Sequence, residues 1–387
     1  MQNINGMNSD FFEHYRKEFP ITRRSIYLDH AGVSPLSLRV KKAIETFLAE
    51  SAESSAFLYP RWTQQIVDVR RACARLINAQ PHEIAFVRST SHGLSLVAEG
   101  LDWKPGDRVI VYEKEFPSNL YPWLNLTGKG IEVVFIPFRD GRFQADDVAR
   151  LIDSRTRLLS ISSVQFTNGF AADLRSLGRL CRSHDVLFCV DAIQSLGVLP
   201  MDVQAFHIDV LSADAHKWLM GPEGIGMFFC RRGLAERLRP ALVGWKSVRN
   251  EFAFEKPDLQ FKTDALRFEE GSLNLMGIVG LGAAIDLLFE AGIQKIADRV
   301  LGLGDMIVRE AEKRGFTVLT PKERDARGGN ITFVGAFDPG IARDALREQG
   351  VMVNVRAGGL RVSPHFYNTA GELERFFGIL DQILRSR

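Results

Sequence analysis

Only four cysteines occur in 387 residues. Cys73, Cys181, Cys189 and Cys230 have the spacing of neither a disulfide framework nor a metal site. Cys189 and Cys230 lie in apolar runs and read as small core residues. Charge of one sign is also lacking: 49 basic residues stand against 47 acidic ones, a net +2. That supplies no general field for nucleic acid or an anionic membrane, so pairs such as Arg70-Arg71 and Arg231-Arg232 read as solvated faces. No apolar run reaches the roughly 20 residues that span a bilayer. No basic segment followed by an apolar one opens the chain, so the expected address is cytoplasmic. The glycines form no G-x-G-x-x-G after an early strand, which disfavours a dinucleotide site. His14, His82, His184, His207 and His365 are isolated, and no metal is expected.

What is present is ordinary globular composition, 45% hydrophobic and 25% charged, at a length that favours two domains. Two amphipathic helices are predicted near 36–51 and 61–77 from apolar steps of three and four. From about residue 83, strands and helices alternate. The strands fall at 83–87, 108–111, 133–136, 158–162, 187–191, 210–212 and 226–230, with helices at 91–99, 145–151 and 174–183. This alternation predicts an α/β fold with a mostly parallel sheet covered by helices. After 275 come long helices (278–291, 293–314), three strands (330–334, 351–353, 359–362) and a last helix (370–385). The expected division is an N-terminal segment 1–25 packed on the small domain, a large domain 26–270 and a smaller α+β domain 271–387.

Polar side chains gather at the strand ends, where ligands of such sheets bind. Lys217 follows a buried strand and precedes a glycine-rich turn. It is either a solvated turn lysine or a buried amine whose pKa is lowered until it can attack a carbonyl. Ser89-Thr90-Ser91 follows a strand and opens a helix, which suits either an ordinary N-cap or a phosphate held by hydroxyls and the helix N-terminus. Asp191 ends the apolar run LFCV. It is a helix cap, half of an ion pair, or the partner of a protonated ring nitrogen. Phosphate hydroxyls, a strand-end aspartate and then a turn lysine is the order of a pyridoxal phosphate (PLP) site.

The motifs YLDHAG (27–32), STSHG (89–93), VDAIQSLG (190–197), DAHKW (214–218), EGSLN (270–274) and RVSPHFYNT (361–369) resemble the class V aminotransferase family of fold-type I PLP enzymes. That family includes cysteine desulfurases, selenocysteine lyases and isopenicillin N epimerase. The resemblance implies PLP as cofactor, with Lys217 as the Schiff-base lysine and the base at the substrate α-carbon. It implies that Asp191 pairs with the pyridine nitrogen and that Gln194 lies near the phenolic oxygen or phosphate. Gln165 would donate to the phenolic oxygen, and Ser89, Thr90 and His216 would hold the phosphate. Arg361 would take the substrate α-carboxylate. Ser272 would reach the phosphate in a neighbouring subunit, which implies a homodimer with shared sites.

The departures from the pattern are informative. Where desulfurases stack a histidine on the ring, this chain has Phe116, which can stack but cannot relay a proton. The stretch 350–364, where desulfurases carry a nucleophilic cysteine, has none. Asp214 replaces a common serine. The residues therefore predict a PLP enzyme acting on an amino acid, with transamination as the first expectation because it needs only Lys217 as an acid–base group. A C–S lyase without a persulfide cysteine is second and an epimerase third, and a non-catalytic PLP-fold binding protein is the reading from another class. Arg356 either recognises a second carboxylate or is simply solvated.

Overall fold

The computed structural model describes residues 9–386. A short first strand, β1 (Ile26–Tyr27), precedes two helices, Leu38–Glu53 and Tyr59–Leu76, each of which packs against the later helix Leu275–Ala291. Seven strands then build the main sheet: β2 (Ile84–Val87), β3 (Arg108–Tyr112), β4 (Glu132–Ile136), β5 (Thr156–Ser162), β6 (Leu187–Asp191), β7 (Val210–Asp214) and β8 (Gly226–Cys230). Their spatial order is β2-β8-β7-β6-β5-β3-β4, and β8 runs antiparallel to both its neighbours. The remaining pairings are parallel, as the alternating pattern predicts.

The central strands read as continuous apolar runs because both faces are covered. Phe188 and Val190 belong to the core on one face, and Cys189 to the core on the other. Ile84 and Phe86 divide from Ala85 and Val87 in the same way. Each fully buried side chain of this size contributes about 1.5–3 kcal/mol. The helix Thr90–Gly100 lies close on β7: a Cβ at Gly93 would come within 2.2 Å of Ser212 Oγ. That contact fixes the N-terminus of this helix over the carboxyl end of the sheet.

The C-terminal part carries a four-stranded antiparallel sheet in the order β12-β13-β10-β9. Its strands are β9 (Thr317–Val318), β10 (Ile331–Val334), β12 (Asn354–Arg356) and β13 (Gly359–Val362). β11 (Val351–Met352) leaves this sheet to pair in parallel with β1. The short strands β9 and β12 and the helix Pro339–Glu348 were not among the expected elements. That helix starts on an Asp338 cap with Pro at its first position, a recognisable start signal.

The segment after residue 270 is shared between two hydrophobic cores. Ile278, Leu281, Ile285 and Leu288 of the helix Leu275–Ala291 belong to the core beneath the main sheet. Gly280 and Gly282 allow this approach, since a Cβ would meet Pro222 Cγ at 2.9 Å and Val69 Cγ2 at 2.5 Å. Leu303, Ile307 and Val308 instead join the C-terminal core with Ile331, Phe333 and Leu360. The change of core falls along the helix Ile293–Lys313. The N-terminal segment meets the C-terminal part through Phe19, whose ring stacks on Tyr367 at 3.9 Å, and through the Arg16–Glu372 ion pair. Phe12 and Tyr15 also enter the core of the main sheet.

Candidate active site

The strand ends, the helix Thr90–Gly100, the loop after β1 and the β12–β13 hairpin enclose a cavity of about 610 Å³. Lys217 lies at its floor, 9% exposed. The segment that carries it is locked by backbone bonds: Ala215 N–H to Ile225 O (3.0 Å), Gly221 N–H to Ala215 O (2.9 Å) and Met220 N–H to Lys217 O (2.9 Å). Met220 is buried with φ 56°, a left-handed conformation that costs a non-glycine residue about 1–2 kcal/mol. Lys217 Nζ stands 5.4 Å from the centre of the Phe116 ring. Burial lowers its pKa to about 8, opposed by Asp191 and reinforced by Arg361. The solvated-turn alternative is therefore not what this lysine does.

Asp191 ends β6 in the middle of the sheet, paired in register with Ser162 on one side and Ser212 on the other. Its carboxylate is buried and accepts one hydrogen bond, from Ile193 N–H at 3.0 Å. Burial pushes its pKa up to about 7, and the nearby Glu115 carboxylate adds to the rise. A buried acid with so little compensation suits a positively charged N–H partner. Glu115, missed in the sequence, is itself raised by burial and held by Ser162 and Gln165.

Ser89 caps the helix Thr90–Gly100, accepting from His92 N–H at 3.2 Å. Ser89 and Thr90 both line the cavity, and the free first-turn N–H groups with the helix dipole make this an anion-binding end. The Thr90 hydroxyl also accepts from Asp214 N–H at 3.1 Å, which ties the helix to β7. His216 lines the same cavity, and its Nδ1 stands 3.3 Å from Asp214 Oδ1 without hydrogen-bond geometry.

Other expected residues have different placements. Gln194 borders the cavity, but its amide is used at both ends, donating to Ala31 O (3.0 Å) and accepting from Trp218 Nε1–H (2.8 Å). It braces the turn next to Lys217. Gln165 is displaced from its expected role: it does not line the cavity, and its amide donates to Glu115 at 2.9 Å. The next residue, Phe166, lines the cavity instead and meets Phe116 edge-to-face at 5.1 Å. Ser272 lies in a separate hollow with Arg88, His92 and Glu270, so a single chain does not bring it to Lys217.

Arg361 is 1% exposed on β13. It donates from Nη2 to Asp29 Oδ1 and from Nη1 to Phe166 O, both at 3.0 Å, while its buried Nε has no partner among the described residues. Tyr27, Asp29, Met352 and Asn354 complete this side. No spacing signal marks them as neighbours, because β1 and β11 meet only in the folded chain.

Each of the four thiols is buried away from this cavity, in the hydrophobic cores. Burial pushes Cys73, Cys181 and Cys189 up to about 12, and Cys230 well above its ordinary value. The β12–β13 connection at Ala357-Gly358 has φ 49° and 73° between the paired residues Arg356 and Gly359. This two-residue mirror-type turn leaves no loop there to carry a nucleophile.

The aminotransferase class-V family model matches residues 26–376. A protein of Methanothermobacter thermautotrophicus named "probable cysteine desulfurase" is 28% identical over 402 residues, covering 96% of this chain and 98% of its own. A cysteine desulfurase of Salmonella newport is 34% identical over 304 residues, 74% of each chain. Among solved structures, an apo cysteine desulfurase from Thermococcus onnurineus superposes with a TM-score of 0.89 at 26% identity. The match covers 97% of this chain and 98% of that one.

Proposed function

The chain belongs to the aminotransferase class-V family, and from that premise we propose that it is a PLP enzyme cleaving the C–S bond of cysteine or a related β-thio amino acid without a thiol of its own. One observation carries the choice within the family. Relatives along nearly the whole chain are named as cysteine desulfurases, yet here every cysteine is buried outside the cleft. β-Elimination needs no protein nucleophile, and it releases pyruvate, ammonia and sulfide. Transamination, the first expectation, is supported less: two relatives at 28% identity are named uncharacterized aminotransferases, while solved structures matching nearly the whole chain are cysteine desulfurases.

The residues fit the cofactor. Asp191 is the buried anion suited to a protonated ring nitrogen, Ser89 and the helix end suit a phosphate, and Lys217 is the amine suited to an aldehyde. PLP, when bound, supplies an electron sink for the charge left when a bond to the substrate α-carbon breaks. Lys217, with a pKa lowered to about 8, is poised to move that α-proton near neutral pH. Arg361 orients the α-carboxylate through its unused Nε. Phe116 and Phe166 exclude water from one wall and relay no proton.

We also take the working unit to be a homodimer. Ser272 lies beside an exposed cluster of Trp245, Phe252 and Phe254, an apolar face suited to a second copy. A cytoplasmic address remains part of this reading.

The test is to incubate the holoenzyme with L-cysteine and its thioethers and to quantify pyruvate, sulfide and alanine. Pyruvate and sulfide in equal amounts are expected from cysteine, and pyruvate with an equal amount of the free thiol from each thioether. Alanine with protein-bound sulfur would defeat the thiol-free reading, and a keto acid formed with pyridoxamine phosphate would make the protein an aminotransferase.

A further inference from the structure

The β12–β13 hairpin presents a second guanidinium to the cleft. Asn354 faces Arg361 across the hairpin, and Arg356 lies two residues from Asn354 on the same strand. Side chains two apart in a strand share a face, so Asn354, Arg356 and Arg361 lie on one side, and all three border the cavity.

Hydrogen bonds connect them in a row. Arg361 Nη2 donates to Asp29 Oδ1 (3.0 Å), Asn354 Nδ2 donates to Asp29 Oδ2 (2.8 Å), and Arg356 Nη1 donates to Asn354 Oδ1 (3.0 Å). Arg356 Nη1 also reaches its own strand at Val355 O (2.7 Å). A carboxylate and an amide therefore stand between the two cations.

The two arginines differ in compensation. Arg361 has Asp29 as a counter-ion, whereas among the described residues no carboxylate forms an ion pair with Arg356. Burial is the main reason that the pKa of Lys217 and of Arg361 is lowered, and the Arg356 charge across the cleft adds to the fall in both. A guanidinium that lines the cavity without a carboxylate of its own favours an anion there.

We propose that Arg356 binds a second anionic group, carried on the side chain of the substrate, while Arg361 binds the α-carboxylate. The substrate class is then an amino acid with an acidic group a few atoms beyond the β-position, such as a cysteine thioether ending in a carboxylate. Diagonal neighbours across a hairpin are about 7–8 Å apart at the backbone, which a spacer of a few atoms spans. This inference rests on the reading of the cleft as an amino-acid site, and its test separates it from the C–S lyase assignment.

The holoenzyme, R356Q and R356K are compared on S-carboxymethylcysteine and on its amide, S-carbamoylmethylcysteine, which differs essentially in charge. The wild type is expected to prefer the acid by about tenfold or more in kcat/KM, mainly through KM. R356Q should bring the ratio close to one, and R356K should restore part of it. Calorimetric binding of glutarate and of its monoamide, neither of which can be cleaved, gives a readout independent of turnover. Tighter glutarate binding, lost in a folded R356Q, supports the subsite even if no thioether is cleaved. Equal binding of glutarate and its amide to the wild type, or an acid preference that survives in R356Q, overturns it whether or not C–S cleavage occurs.

Discussion

The thiol-free reading makes a quantitative prediction about alkylation. Burial places Cys73, Cys181 and Cys189 up to about 12. At pH 8 the thiolate fraction of such a group is roughly one in ten thousand, against about a quarter for an ordinary exposed thiol. All four sulfurs are also shielded, since none of these residues exceeds 1% exposure. The native holoenzyme treated with iodoacetamide at pH 8 should therefore stay unlabelled by mass spectrometry and keep its full rate of pyruvate and sulfide release. The matching mutants are single Cys→Ala changes. Each removes a buried sulfur at a cost of about 1–2 kcal/mol, tolerable within a total stability of roughly 5–15 kcal/mol. The four combined would remove too much, so they are tested singly. Each single variant should keep kcat within a few-fold. A variant that folds normally but loses kcat by a hundredfold, at a cysteine found carrying an extra sulfur in the wild type, would refute the argument.

Three further outcomes follow from the geometry. In the cofactor-free protein, Asp191 has a folded pKa raised from 3.8 to about 7, so the folded state holds its proton more tightly and stability declines as pH rises from about 4 to about 7. Asp191→Asn should flatten that decline and melt higher than the wild type at pH 8 in a thermal scan, while impairing turnover of the holoenzyme. Arg70 and Glu269 form a buried pair, 8% and 5% exposed, whose carboxylate also accepts from Phe86 N–H. Arg70→Met should cost about 3–5 kcal/mol in urea unfolding by stranding that carboxylate, and Arg70→Met with Glu269→Gln should recover part of the loss. Ala357 occupies a left-handed turn position at φ 49°, so Ala357→Asn should stabilise the protein by about 0.5–1 kcal/mol in the same assay. No gain would show that the turn relaxes without strain.

The parts of this molecule that were legible in the sequence are those with local causes. The strand Leu187–Asp191 and the helix Leu174–Ser183 carry their own signals, an apolar run buried on both faces and an Asp173 cap before apolar steps. Lys217, Asp191 and Ser89 drew attention because each stands by a recognisable element: Asp191 closes β6, Ser89 caps the helix Thr90–Gly100, and Lys217 follows β7 by three residues. β9 and β12, of two and three residues, are too short for any period to register. Asp29 and Asn354 act through partners more than 300 positions away, and nothing in local spacing encodes such a meeting. Gln165 shows the limit of motif transfer, since the chain turns its amide toward Glu115 and gives the cavity Phe166. Glycines that look like helix weaknesses are what let the helix Leu275–Ala291 sink against Val69 and Pro222, a packing that no local pattern announces.

The pairing of β1 with β11 also has a meaning in time. Ile26 finds Val351, and Asp29 finds Arg361, only after some three hundred intervening residues have been made. At about 5–20 residues per second, a ribosome needs on the order of fifteen seconds to a minute for that interval. During it Lys217 can already be in place on a folded sheet, but the wall that binds and orients a carboxylate is missing. Chains that stop short of β13 therefore cannot assemble this cleft. Synthesis itself delays completion of the cleft until the last strands of the chain have been made.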